Sequence, residues 1–200
     1  MLLTSSFTFA VLLCLRSCTA TPYLGTRQTD NTEYHWVDAW TSMPQLVEPD
    51  NLPPAPFRTN TAILTNTTLR QTLHLTLTSG LIRIQISNLF GRTPLPLTTS
   101  SLALPKSGKA GAKDILSSPI AGLTFNGSSS VTIPAGRTVY SDPVDFAVKA
   151  QSELTMTLYL AKGQEGSSVT GHPGSRTTSW MGVGEGVNAT GVGGGSTKHW

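Results

Sequence analysis

Residues 69–91 read LRQTLHLTLTSGLIRIQISNLFG, and their alternation decides the fold class. Leu73, Leu75 and Leu77 fall on one side of an extended chain. After Thr78-Ser79-Gly80, Ile82, Ile84 and Ile86 do the same, with Arg83, Gln85 and Ser87 between them. A period of two sends one face into a core and the other toward solvent, so each half predicts a strand buried on one side. Two such strands around a Gly-containing connection predict an antiparallel hairpin. On this reading His74 lies on the polar face.

Working outward, Glu153–Ala161 (ELTMTLYLA) repeats the pattern, with Leu154, Met156, Leu158 and Leu160 on a shared face. The aromatic stretch Tyr34–Thr41 (YHWVDAWT) predicts a first strand. Shorter strands are expected at Ser101–Leu104, Val131–Ile133, Thr138–Tyr140, Val144–Val148 and Arg176–Met181. Leu95 and Leu97, set among Pro94 and Pro96, suit a strand edge. Five prolines between Met43 and Phe57 predict an extended loop. Ser107–Leu116 and Gly163–Gly174 read as loops. Gly182–Gly195, with seven glycines, reads as a loop or linker.

Strands separated by Pro/Gly turns, with no amphipathic helix, predict an all-β chain. Only 12% of residues are charged, while Gly and Pro number 19 and 13, which suits turns better than surface helices. The expected architecture is an antiparallel β-sandwich of jelly-roll or immunoglobulin-like topology. The expected organisation is a signal peptide at 1–20, a flexible mature N-terminus at 21–33, a sandwich at 34–181 and a Gly-rich end at 182–200.

The apolar run Phe7–Leu15 followed by Cys18-Thr19-Ala20 is the pattern of a secretory signal cleaved before Thr21. It is too short to span a bilayer, so the expected location is extracellular with no membrane span. Both cysteines, Cys14 and Cys18, lie within that signal. A mature chain without cysteine has no disulfide and no Cys-based zinc site, and must rest on its sheet core. Sequons at Asn66-Thr67-Thr68, Asn126-Gly127-Ser128 and Asn188-Ala189-Thr190 mark glycosylation positions that belong on the surface.

The formal net charge is +3, and the basic residues are scattered. Lys106, Lys109 and Lys113 alternate with Ser, Gly and Ala rather than with aromatics, which predicts a solvated loop and no nucleic-acid partner. A serine hydrolase needs its nucleophile on a sharp turn beside a base and an oxyanion hole. Here there is no G-x-S-x-G, no Gly-Asp-Ser and no D-x-x-H. The four histidines, His35, His74, His172 and His199, lack the short spacings of a metal site, and no phosphate-cradling loop occurs. Neither metal nor cofactor is expected, and no catalytic residue is assigned. Trp36 and Trp40, four apart on a strand, would share a face, able either to stack on a sugar or to plug the core. His172, with Arg176 and Trp180 close behind, marks a candidate ligand or interdomain surface.

Several segments in order carry a resemblance. They are Trp36-Val37-Asp38-Ala39-Trp40-Thr41 with Met43-Pro44-Gln45, then Leu69-Arg70-Gln71-Thr72, and Arg83–Gly91 (RIQISNLFG). Val131–Gly136 (VTIPAG), Ser141-Asp142-Pro143-Val144 and Gly171–Trp180 (GHPGSRTTSW) follow. Together they resemble the N-terminal region of extracellular GDSL-type esterases of the SGNH hydrolase superfamily. The resemblance implies an accessory, non-catalytic sandwich, with a last strand and a C-terminal SGNH catalytic domain beyond residue 200. The partner would then be that domain, with an acyl ester as its substrate, and this chain alone would be inactive. The alternative is an independent secreted carbohydrate-binding or interaction module.

Overall fold

A computed structural model describes residues 35–173, 177–193 and, for the backbone, 196–199. A compact unit runs from Val37 to Trp200, and of the unit before it only His35 and Trp36 are described. The expected signal segment and both cysteines lie outside the described residues.

The described chain is all-β, with no α-helix among the described residues. In order, the strands are β1 (Gln45–Leu46), β2 (Ala62–Ile63), β3 (Thr67–Leu75), β4 (Ser79–Ile82), β5 (Gln85–Asn88), β6 (Leu95–Leu97), β7 (Thr99–Pro105) and β8 (Ile115–Gly122). They continue as β9 (Val131–Ile133), β10 (Arg137–Tyr140), β11 (Val144–Val148), β12 (Ser152–Leu160), β13 (Gln164–Glu165), β14 (Thr170–Gly171), β15 (Thr178–Val183) and β16 (Ser196–His199). One layer is a six-stranded sheet in the order β16-β15-β3-β12-β7-β8. Facing it is a broken layer of antiparallel pairs, β4 with β11, β5 with β10, and β6 with β9. All pairings are antiparallel. This is the expected sandwich-like arrangement.

The expected hairpin at 69–87 does not form. β3 lies between β12 and β15, so both its edges are taken. The chain therefore passes to the opposite layer through the exposed Thr76–Thr78, and β4 pairs there with β11. Alternation reports which side chains share a face, but it does not name the partner strand. Leu73 and Leu75 are buried as expected, and so are Ile82, Ile84 and Ile86, but the two sets belong to opposite layers. Leu77, placed with the buried leucines by periodicity, lies past the end of β3 in the crossover and is exposed.

No strand forms over 35–41. The carbonyl of Ala39 instead takes both the N–H and the Oγ1 hydroxyl of Thr76, at 2.9 and 2.8 Å. That clips the segment to the crossover at one point rather than along a ladder. Trp40 therefore sits in a bend and does not share a strand face with Trp36. The Pro-rich stretch holds a 3₁₀ turn at Pro49–Asn51, and β1 pairs with β14. Ile115–Gly122, not anticipated as a strand, forms the edge strand β8 with Pro119 inside it; an edge tolerates a missing donor.

The segment SNLFG at the end of β5 closes a polar knot. Asn88 is fully buried; its Nδ2 donates to the carbonyls of Thr93, Ile133 and Pro134, and its Oδ1 accepts from Gln164 Nε2. Gly91 packs so closely on this amide that a Cβ would overlap Asn88 Oδ1. Close approach, rather than a positive φ, demands glycine there. The ribbon formed by β4–β5 and β10–β11 breaks at Arg83-Ile84 opposite Ser141. There the Ile84 N–H donates to Ser141 Oγ at 3.0 Å, and the Ser141 N–H donates to the Ile84 carbonyl at 2.8 Å. These bonds satisfy the backbone where the ladder lapses.

The middle of the outer face of the six-stranded sheet is also covered. Thr68, Arg70 and Thr72 of β3, which alternate with the core leucines, are all buried. Two segments lie over them, the Lys106–Asp114 loop and the Gly-rich stretch 184–193. Arg70 Nη1 donates to the Lys113 carbonyl at 2.9 Å, and Nη2 to those of Ala189 at 2.8 Å and Gly186 at 3.4 Å. Its Nε donates to Thr157 Oγ1 at 2.9 Å. The stretch read as a linker thus folds onto the sheet, and β16 then pairs with β15 at the sheet edge.

Candidate functional site

Between the layers the inner faces do not meet everywhere. They enclose a cavity of about 480 Å³. One wall comes from β3 and β12, including Leu73, Leu158 and Met156; the other comes from Ile82, Ile84 and Ile86. Gln71 brings an amide to the first wall, where its Nε2 donates to Ser179 Oγ at 2.7 Å. Segments 37–44 and 169–172 border the cavity too. Packed interiors have few voids larger than a water molecule, so a space of this size is a candidate site.

The rim is polar and aromatic. Trp40 and His172 meet there edge to face, with ring centroids 5.6 Å apart and an interplanar angle of 78°. Tyr140 borders the space and carries the Arg83 guanidinium 5.0 Å from its ring centroid, a cation–π distance.

Of the five residues read as a ligand surface, Trp40 and His172 come together. Trp180 does not join them. It projects from β15 opposite Arg70, on the outer face, and its Nε1 donates to the Gly111 carbonyl at 2.9 Å. Its indole anchors a loop rather than facing a ligand. Trp36 is exposed and belongs to the preceding unit. Arg176 lies outside the described residues.

The three sequon asparagines are exposed. Asn66, at φ +50°, accepts the Tyr159 hydroxyl on its Oδ1, not on the nitrogen that would carry a glycan. Asn126 and Gly127 both have positive φ and form the tip of a tight turn closed by Phe125 and Ser128. Asp142 supports that tip: Oδ2 accepts from Thr124 Oγ1 at 2.6 Å and from the Gly127 N–H, and Oδ1 accepts from the Asn126 N–H. The Thr124 bond first, then the Gly127 bond, hold the Asp142 carboxyl below its ordinary pKa.

Two further ionisable groups are perturbed. Burial pushes the Arg70 guanidinium below its ordinary value, partly countered by the Asp114 carboxylate. Arginine titrates so high that it stays charged. His74, exposed at the far end of β3, has Glu153 Oε1 2.7 Å from Nδ1 and Gln151 Oε1 3.2 Å from Nε2. The Glu153 hydrogen bond, followed by that to Gln151, raises its pKa.

Sequence reasoning missed the cavity and the buried role of Arg70. Periodicity identified the wall residues but not the gap between them. Arg70 had one available signal, a lone arginine on a strand flanked by threonines.

No protein-family model matches the chain, and no curated protein matches it.

Proposed function

We propose that the chain is the non-catalytic N-terminal sandwich of a secreted GDSL-type, SGNH-hydrolase-like protein, with the ester-cleaving domain following it. What supports the reading is the convergence of three segments that carry the resemblance. β1 pairs with β14, joining Gln45-Leu46 to Thr170-Gly171. The Phe90 N–H donates to Thr170 Oγ1 at 2.9 Å, bringing in the Leu89-Phe90 turn. Met43 (80% exposed), Leu46, Leu89 and Phe90 remain exposed around this junction. Exposed apolar side chains at one junction suit an adjoining domain. The exposed Asn66, Asn126 and Asn188 agree with an extracellular glycoprotein.

The decisive test is the transcript beyond codon 200. An in-frame Gly-Asp-Ser block followed by an Asp-x-x-His is expected, and a stop codon with neither would overturn the reading. The purified chain should not turn over nitrophenyl acetate. Turnover blocked by a serine-directed phosphonate would oppose the non-catalytic role.

A second reading, an independent carbohydrate-binding module, draws on the Trp40–His172 pair at the cavity rim. Retention on insoluble polysaccharide, lost in Trp40→Ala, would favour it.

A further inference from the structure

We propose that the inter-sheet cavity is a binding site for an aliphatic chain with one polar head group, a fatty acid or its ester. The chain would lie between β3/β12 and the Ile82–Ile86 strip, with its head at the Trp40–His172 rim. This inference stands whether or not a catalytic domain follows.

Three observations carry it. First, the volume of about 480 Å³ falls in the range of small-molecule sites. Second, Leu, Ile and Met oppose one another across the gap, and the buried polar side chains of the lining are Gln71 and Gln164. A sugar needs hydrogen-bonding groups converging from several directions, and burying its hydroxyls against leucine and isoleucine is unfavourable. An alkyl chain asks for no partner and gains from every methylene taken out of water. Third, the wall is reachable. Leu69, Ile82, Ile84, Ile86 and Leu158 keep between 7 and 9% exposure and Leu73, Leu75 and Leu160 between 3 and 5%, while Leu154 of the same wall keeps 0%. Trp40 and His172, both half-buried, offer an amphipathic border for a head group.

The test is calorimetric titration of the purified chain with octanoate, decanoate and dodecanoate below their micelle concentrations. Saturable binding of one ligand per chain is expected, tightening by about fourfold per added methylene until the cavity is filled. Met156→Phe, which puts a rigid ring into the space from a half-buried position, should weaken dodecanoate at least tenfold. Val183→Ser, an exposed apolar residue that does not line the cavity, should leave binding unchanged. A brominated decanoate needs no core variant: it should quench tryptophan emission in the wild type, and the quenched fraction should fall in Trp40→Phe. No saturable binding by the folded chain would overturn the proposal. So would undiminished binding by a folded Met156→Phe, loss of binding in Val183→Ser, or quenching unchanged by Trp40→Phe. Binding of soluble oligosaccharide but not of any of the three acids would overturn it in favour of a sugar site.

Discussion

The two faces of the six-stranded sheet invert the usual expectation. The inner face is the apolar one, built from Leu69, Leu73, Leu75, Leu154, Met156 and Leu158, yet it encloses a space of about 480 Å³. The outer face carries threonines and a charged arginine, yet its middle is sealed: Thr68, Arg70, Thr72, Thr155 and Thr157 are all buried. The outer face closes because hydrogen bonds specify where two loops must lie. Arg70 reaches three carbonyls, Thr72 Oγ1 takes the Gly111 N–H at 2.7 Å, and Thr68 Oγ1 takes the Gly186 N–H at 2.9 Å. Apolar contact is non-directional. It draws layers together but does not prescribe that every residue meet a partner.

The comparison can be broken hardest at Arg70. Arg70→Met should leave the carbonyls of Lys113, Gly186 and Ala189 without their donor, so urea unfolding should show a loss of about 3–5 kcal/mol. Arg70→Lys should recover only part of it, because an ammonium lacks the planar fork that reaches separated acceptors. An effect below 1 kcal/mol for Arg70→Met would mean that the loops hold without the arginine.

Next in size is the polar knot at the exit of β5. Gly91→Ala drives a Cβ into the Asn88 amide and should cost about 2–3 kcal/mol, through overpacking and a broken buried bond. Denaturation midpoints of Gly91→Ala and Asn88→Ala, alone and combined, should show that the two losses do not add, since both act on one knot.

A smaller effect sharpens the contrast within the inner face. Leu102→Ala removes a side chain with 0% exposure, away from the cavity, while Leu73→Ala enlarges a space that already exists. Leu73 has fewer partners to lose on its cavity side, so Leu102→Ala should be the more destabilising by about 1 kcal/mol. Equal losses would mean that the cavity closes in solution.

The smallest effects are those of pH. The folded-state pKa of His74 is raised, so its bond to Glu153 adds stability below the ordinary histidine value, and this is lost as pH rises through the raised one. Asp142 has the opposite sign: its lowered pKa adds stability above the ordinary carboxylate value, lost as pH falls through the lowered one. Urea midpoints against pH for His74→Gln and Asp142→Asn should each flatten the matching limb and leave the other unchanged.

By itself the sequence determined the fold class and most strand positions. Period-two alternation in Leu73–Leu75, Ile82–Ile86 and Leu154–Leu160 is a property of neighbouring residues, and so are the Pro and Gly breaks between strands. It also marked Trp40 and His172, though not as a pair. Only tertiary structure decided which strand lies beside which. The ladder uses the same N–H and C=O groups at every residue, so nothing in residues 69–91 says that β12 and β15 occupy both edges of β3 and force β4 into the opposite layer. The same holds for burial. Whether Arg70 meets water depends on loops more than forty residues away, and whether Leu73 meets Ile84 depends on the spacing of two layers that no local pattern records.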